Sequence, residues 1–288
     1  MSPVCFVNGR WAAASEATIG LFDGGFLHGA GLFETMRCEQ GVVFRLDAHL
    51  RRLKKSIGLL LPQMERDECP GREVFRELLK RCHLLDARIR LTMTAGNMQA
   101  DANSSPIAPT VCVTASELGA YPDSYYDKGV AVSLCNYRVS PSDPLAGHKT
   151  TSYLPRILGL RQAQAARCFE ALWFTTEHYL AEGCISNVFI VSRGTIRTPP
   201  LNTPVLPGVA RSVVLEIARS KGIHAEETPL TIDDLLDAEE VFLTNVMMLV
   251  LPVIRVEQGE IGQGRVGPMA RELIEAFRAT VRRECAPG

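Results

Sequence analysis

The chain has little net charge. Its 31 lysines and arginines stand against 32 aspartates and glutamates, a balance of -1 over 288 residues. That balance gives no electrostatic case for nucleic acid or an anionic membrane as partner. Long apolar runs are missing as well. None reaches the roughly 18 residues that a helix needs to cross a bilayer, so no membrane span is expected. Met1-Ser2-Pro3-Val4-Cys5-Phe6 lacks a basic region followed by an apolar stretch, and it does not read as a signal peptide. The nine cysteines are odd in number, widely spaced and free of any C-x-x-C pair. Zinc ligation or a disulfide framework needs tighter clustering, so no metal is expected. The thiols read as small apolar core residues in a reducing cytoplasm. No internal repeat or low-complexity segment occurs. The glycine-dense stretch from Gly20 to Arg37 lacks G-x-G-x-x-G spacing and suggests no dinucleotide site.

What remains is an ordinary globular composition, long enough for one large domain or two smaller ones. Val4 to Val7 reads as a strand ended by the turn Asn8-Gly9. The glycine-dense stretch is expected to be a loop leading into a strand. Asp47 is placed to cap a helix through His49, Leu50, Leu53, Ile57 and Leu60, stopped by Pro62. Glu73 to Leu84 is a second amphipathic helix, and Arg88 to Thr94 alternates as a half-exposed strand does. Val111 to Ala115 is another strand. The turn-rich run from Leu118 to Ser124 marks a boundary. We expect a smaller α/β domain over 1–118, a linker over 119–125 and a larger domain over 126–288. In the second part, Val130 to Leu134 and Ala171 to Phe174 read as strands. A helix is expected to begin at Thr150 or Thr151 and run to about Arg167. Asn187 to Val191 and Thr195 to Thr198 form a hairpin around Arg193-Gly194. A helix follows Leu206-Pro207-Gly208, Val241 to Leu243 is a strand, and Met269 to Val281 is a closing helix.

Two segments carry chemistry. The first is Leu145-Ala146-Gly147-His148-Lys149-Thr150-Thr151-Ser152-Tyr153-Leu154-Pro155. Lysine normally titrates near about 10.4, and burial or nearby positive charge is needed to free its amine at neutral pH. Read locally, Lys149 is either such an inward-facing amine or a solvated lysine at a helix start. The second segment is Ala181-Glu182-Gly183-Cys184-Ile185-Ser186-Asn187-Val188-Phe189. Glu182, before an apolar strand and beside a glycine that permits close approach, either meets a planar cofactor or is a solvated loop carboxylate. An amine that forms a Schiff base and an acid that keeps a ring nitrogen protonated are what pyridoxal 5'-phosphate (PLP) requires. Leu206-Pro207-Gly208-Val209-Ala210-Arg211 opens a helix whose first N–H groups suit a phosphate, and Arg51 and Arg52 offer a cation.

Taken together and in order, these motifs resemble the fold-type IV, class IV PLP enzymes. That family holds branched-chain aminotransferases, D-amino acid aminotransferases and 4-amino-4-deoxychorismate lyases. The resemblance runs over nearly the whole chain. It passes through Phe33-Glu34-Thr35-Met36-Arg37, His49-Leu50-Arg51-Arg52-Leu53, Lys149 with Tyr153-Leu154, Glu182 with Ser186-Asn187, Leu206-Pro207-Gly208 and Leu251-Pro252-Val253. It implies two α/β domains of mixed sheets and packed helices, with PLP in the cleft between them, and a homodimer acting on a small amino substrate. It makes Lys149 the catalytic residue that joins the cofactor and later moves a proton. It pairs Glu182 with the ring nitrogen, Arg52 with the phosphate and Tyr153 with the phenolic oxygen. The amides of Val209 and Val246 complete the phosphate contacts, and Asn187, Ala210 and Asn245 fall among the cofactor-binding positions. His28, Phe33, Thr35, Arg37, Arg90 and Met247 fall at substrate positions.

Within the family, aminotransferases often carry threonines where this chain has Ala210 and Val246. The lyase branch tolerates apolar residues there and favours an Asn-x-x-Met run, which Asn245-Val246-Met247-Met248 matches. The resemblance therefore leans to 4-amino-4-deoxychorismate lyase, which releases pyruvate and leaves 4-aminobenzoate for folate synthesis. The alternative is an aminotransferase for a D-amino acid or a branched-chain amino acid, and a PLP-binding protein without turnover is the remote one. Many lyase-like relatives carry an arginine after the Arg90 strand, where this chain has Ala95-Gly96-Asn97-Met98. Arg37, Arg90 or Arg138 would then have to meet a substrate carboxylate.

Overall fold

The computed structural model describes residues 4–62, 64, 68–98 and 108–286. The chain divides into two compact units. The first runs to Gly119 and takes in His148–Tyr153 and the chain from Val281 on; the second holds Ala120–Gly147 and Leu154–Thr280.

Among the described residues, the first unit is built on a six-stranded antiparallel sheet. Its strands are β1 (Val4–Val7), β2 (Arg10–Ala13), β3 (Gly31–Glu39), β4 (Val42–Val43), β5 (Ala87–Thr94) and β6 (Thr110–Glu117), in the order β2-β1-β6-β5-β3-β4. Helices α2 (Leu46–Leu60) and α3 (Arg72–Cys82) cover one face. Strand alternation decides what each face carries. Leu32, Met36, Cys38, Ile89, Leu91 and Met93 turn toward the helices and join Leu53, Ile57, Phe75 and Leu78 in the core. Phe33, Thr35 and Arg37 turn the other way and stand opposite Thr92, Arg90 and Arg88.

Two details differ from the sequence expectation here. The glycine-dense stretch is not all loop: α1 (Gly24–His28) forms inside it, capped by Asp23, which accepts from the Gly25 and Phe26 amides. Asp47 does not cap α2. Arg45 occupies the N-cap with left-handed backbone, its side chain pairs with Glu284 rather than capping the helix, and Asp47 lies in the first turn. There it favours the helix through the macrodipole and pairs with Arg72.

In the second unit the described residues form a nine-stranded mixed sheet, in the order β12-β11-β10-β13-β14-β7-β8-β9 with β15 on β14. These strands are β7 (Val130–Val139), β8 (Glu170–Thr175), β9 (Leu180–Gly183), β10 (Asn187–Ser192), β11 (Thr195–Thr198), β12 (Ala225–Glu227), β13 (Glu240–Asn245), β14 (Leu249–Val256) and β15 (Gly259–Glu260). β7 and β8 are parallel and joined through α5 (Leu154–Ala165), the connection that parallel neighbours need. α6 (Val209–Lys221) and the long α8 (Pro268–Glu284) present Val213, Ile217, Leu273 and Phe277 as buried faces. Two short helices, α4 (Asp123–Lys128) and α7 (Ile232–Leu236), complete it. No described helix is long and apolar enough to cross a membrane.

Candidate active site

Lys149 does not start a helix. The Phe33 amide donates to the Lys149 carbonyl at 2.9 Å, and the Thr151 amide donates to the Gly31 carbonyl at 2.8 Å. Lys149–Thr151 is thus an extended segment laid along the start of β3, with Thr150 bridged to Leu32. A helix is expected from the sequence to begin at Thr150 or Thr151, but β-branched residues suit extended backbone. Thr151 Oγ1 donates to the Gly29 carbonyl at 2.7 Å and closes the segment from its side. The helix waits until Leu154, with Pro155 in its first turn, where a missing N–H costs nothing.

This register puts Lys149 over the second face of the sheet. Its Nζ lies 4.6 Å from the Phe33 ring centroid. The Arg90 guanidinium lies 3.9 Å from the same centroid, and the Tyr153 ring meets Phe33 edge-on at 5.4 Å. Lys149, Phe33, Arg90 and Tyr153 therefore form one cluster, with Thr35 beside Arg90 in the strand register. Arg90 donates to Thr92 Oγ1 at 3.1 Å and has no carboxylate partner among the described residues. Burial, then Arg88, lower its pKa. Arg37 is engaged by Glu39 at 2.6 Å. His28 is exposed at the end of α1. From α2, Ser56 Oγ meets His148 Nδ1 at 2.8 Å and pins the residue before Lys149.

Arg52 is held on the helix-covered side. Its Nε and Nη2 bind the two oxygens of Glu34 at 2.8 and 2.5 Å. His49 Nδ1 meets Glu34 Oε2 at 2.8 Å. Burial opposes a charge on Glu34, but Arg52 and His49 outweigh it and hold the carboxyl at about 2. Burial keeps His49 neutral, so its Nδ1–H is the donor, and its Nε2 has no partner among the described residues. Arg51, its neighbour, is exposed.

The second unit holds the acid. Glu182 is 6% exposed at the end of β9, so it is not a solvated loop carboxylate. Its Oε2 accepts from the Leu206 amide at 2.9 Å and from Asn187 Nδ2 at 3.4 Å. Its Oε1 accepts from Arg156 at 2.6 Å. Asn187 also donates to the Leu206 carbonyl, so Leu206 is gripped on both sides just before α6. Gly208 is the N-cap of α6 and supplies no side-chain acceptor. A Cβ on Gly208 would fall 2.0 Å from Asn187 Oδ1, which is why only glycine fits. Among the described residues nothing accepts from the Val209 and Ala210 amides, so they are open to an anion. Asn245 Oδ1 accepts from the Met247 and Met248 amides, and its Nδ2 donates to the Ile185 carbonyl. The Asn245 side chain thus shapes the turn that carries Val246.

Two residues of this unit escaped the sequence reading. Glu170 is fully buried and accepts from the Ile185 amide at 2.5 Å and from Ser186 Oγ at 2.9 Å. Burial drives its pKa up to about 7. The one available signal was a charge inside the apolar run Phe169-Glu170-Ala171-Leu172-Trp173-Phe174. Arg156 sat unremarked in α5, with no feature of its spacing to single it out. Cys184 is buried beside this loop, takes the Trp173 Nε1–H at 3.2 Å and has its pKa pushed up to about 12 by burial.

A buried carboxylate bound to the residue that leads into an uncapped helix start suits a cofactor with a basic ring nitrogen and a phosphate. The amine of Lys149, in its aromatic and cationic cluster, suits an aldehyde. Comparison with known proteins agrees. A family model described as amino-transferase class IV matches residues 31–256. A Methanocaldococcus jannaschii protein assigned to the branched-chain-amino-acid aminotransferases is 32% identical over 95% of this chain and 94% of its own. The aminodeoxychorismate lyase of Bacillus subtilis is 30% identical over 89% of this chain and 88% of its own. The T.th. branched-chain amino acid aminotransferase, solved with pyridoxamine 5'-phosphate, superposes with a TM-score of 0.89 at 27% identity, over 99% of this chain and 95% of that one. Sequence, fold and cofactor chemistry converge, and the chain belongs to the class IV aminotransferase family of PLP-dependent enzymes.

Proposed function

We propose that this chain is a 4-amino-4-deoxychorismate lyase, cleaving its substrate to pyruvate and 4-aminobenzoate. The observation that carries the reading is the build of the turn at Asn245. The Asn245 side chain takes the Met247 and Met248 amides, and Val246 and Ala210 offer no hydroxyl where aminotransferases of the family often have one. The relative from Bacillus subtilis supports the same assignment. A second reading is amino-group transfer from a branched-chain or D-amino acid, and its branched-chain form is favoured by the slightly higher identity to the Methanocaldococcus jannaschii protein.

Bound PLP supplies an electron sink for the carbon that carries the substrate amine. Lys149 would hold it covalently and would move the proton on that carbon. Glu182 would hold the ring nitrogen, and the Val209, Ala210 and Val246 amides with Arg52 would hold the phosphate. Tyr153 takes the phenolic oxygen. Arg90 receives a substrate carboxylate: it is a half-buried guanidinium beside Lys149 with no acid of its own. Phe33 and Thr35 line the same face. The exposed Leu21, Phe22, Phe26 and Leu27 support a homodimer as the working form.

One assay tests this. Purified protein with PLP is given 4-amino-4-deoxychorismate, and separately a panel of L- and D-amino acids with 2-oxoglutarate. Equal yields of pyruvate and 4-aminobenzoate are expected, with little transamination. Transamination without 4-aminobenzoate would overturn the lyase reading. In the same assay Arg90→Met should raise KM by about 10- to 150-fold, the 1.5–3 kcal/mol of a charged hydrogen bond. An unchanged KM moves the carboxylate contact elsewhere.

A further inference from the structure

We propose that Arg156 is a positioning residue that divides the Glu182 carboxylate with the cofactor's ring nitrogen, and so loosens that nitrogen's hold on its proton. The proposal rests on the role given to Glu182 above. Arg156 lies in the first turn of α5 and its guanidinium is fixed from three sides. Nη2 meets Glu182 Oε1 at 2.6 Å, Nη1 donates to the Gly183 carbonyl at 2.8 Å, and the guanidinium carbon lies 4.8 Å from the centroid of the Trp173 ring. The close approach of α5 depends on Gly159, one turn on. A Cβ there would come within 2.8 Å of Cys184 Sγ and 3.3 Å of Trp173 Nε1.

Among the described residues the groups with charge or a titrating proton on this side are Arg156 from α5, Glu170 from β8, Arg138 from β7 and the buried Cys184 and Cys135 thiols. Only Arg156 bonds to the Glu182 carboxylate among them. A carboxylate steadies a neighbouring ring N–H⁺ through its negative potential. A guanidinium on the same carboxylate cancels part of that potential, and its side chain is only 19% exposed, so solvent screens it incompletely. The ring nitrogen therefore releases its proton at lower pH than it would against Glu182 alone, by about one unit. A merely structural Arg156 predicts the opposite sign. Losing it would let Glu182 swing away, and the nitrogen would release its proton more readily still.

The test is a ¹⁵N NMR titration of the holoenzyme carrying PLP labelled at the ring nitrogen. R156Q should raise the nitrogen's pKa by about one unit. R156K keeps the charge without the two-pronged grip and should match the wild type. An unchanged or lowered pKa in R156Q overturns the proposal. If R156Q does not retain cofactor, a lowered pKa in R156K overturns it instead. E182Q separates the two readings. It should deprotonate the nitrogen, and if the ¹⁵N shift ignores E182Q, the Glu182 assignment itself falls.

Discussion

Lys149→Ala protein mixed with PLP is expected to show none of the visible absorbance that lysine-bound cofactor gives, and no turnover. In the role proposed for it the amine has two tasks, attachment and proton transfer, and alanine performs neither. Proton transfer alone is worth about 10²–10⁴-fold in rate. The fold should survive. Lys149 enters the sheet through its carbonyl, which accepts from Phe33, and alanine offers the same carbonyl. Its Nζ touches the Phe33 ring, which Tyr153 and Arg90 also flank. Circular dichroism like the wild type with no absorbance is the expected pair of results. Borohydride reduction of the wild type followed by peptide mapping gives the decisive check. Cofactor fixed to any other lysine would refute the assignment.

The second large effect concerns stability. Glu170 is raised to about 7 by burial, whereas an unfolded glutamate titrates near about 4.3. Between those values the unfolded chain has released a proton that the folded chain still holds. Stability must therefore fall as pH rises from about 4.3 to 7, by about 3 kcal/mol from this one group. Glu170→Gln imitates the protonated form. It still accepts from the Ile185 amide and can donate to Ser186 Oγ. The variant should equal the wild type below about pH 4 and exceed it above pH 7 in urea denaturation. Parallel pH profiles for the two proteins would show that Glu170 ionises normally. Glu34 does not blur the comparison. Its lowered value places its stabilising effect above the ordinary carboxylate range, and that effect is lost only as pH falls through about 2.

The sequence was most legible where the pattern is periodic. Arg88 to Thr94 alternates and is β5, and the Asn187–Thr198 hairpin turns at Arg193-Gly194, where both residues have positive φ. It was least legible where a residue type suits two structures. A helix is expected from the sequence to begin at Thr150 or Thr151, but they form an extended segment bridged to Leu32, because β-branched residues suit extended backbone. The glycines around Asp23 hid a one-turn helix, whose stability comes from the Asp23 cap rather than from propensity. Family motifs mark Lys149, Glu182 and Arg52, and the roles proposed for them rest on those motifs. The Arg52–Glu34 pair, in contrast, joins residues 18 apart and depends on how α2 lies on β3. Arg156 and Glu170 are of that kind too. Neither has a local pattern, and each acquires a partner only when α5, β8 and β9 come together. Gly183 shows how tight that meeting is, since a Cβ on it would lie 2.2 Å from Glu170 Oε1.

The deep placement of the sulfurs has a practical consequence. Burial pushes Cys38 and Cys184 up to about 12 and Cys285 to about 11. At neutral pH their thiolate fractions are on the order of 10⁻⁴ or less, and alkylating reagents attack the thiolate. These three side chains are 2% exposed or less, so modification must wait for the surrounding structure to open. Cys38 and Cys285 belong to the first unit and Cys184 to the second. Their alkylation rates are thus built-in clocks, each timing the breathing of its own half of the enzyme.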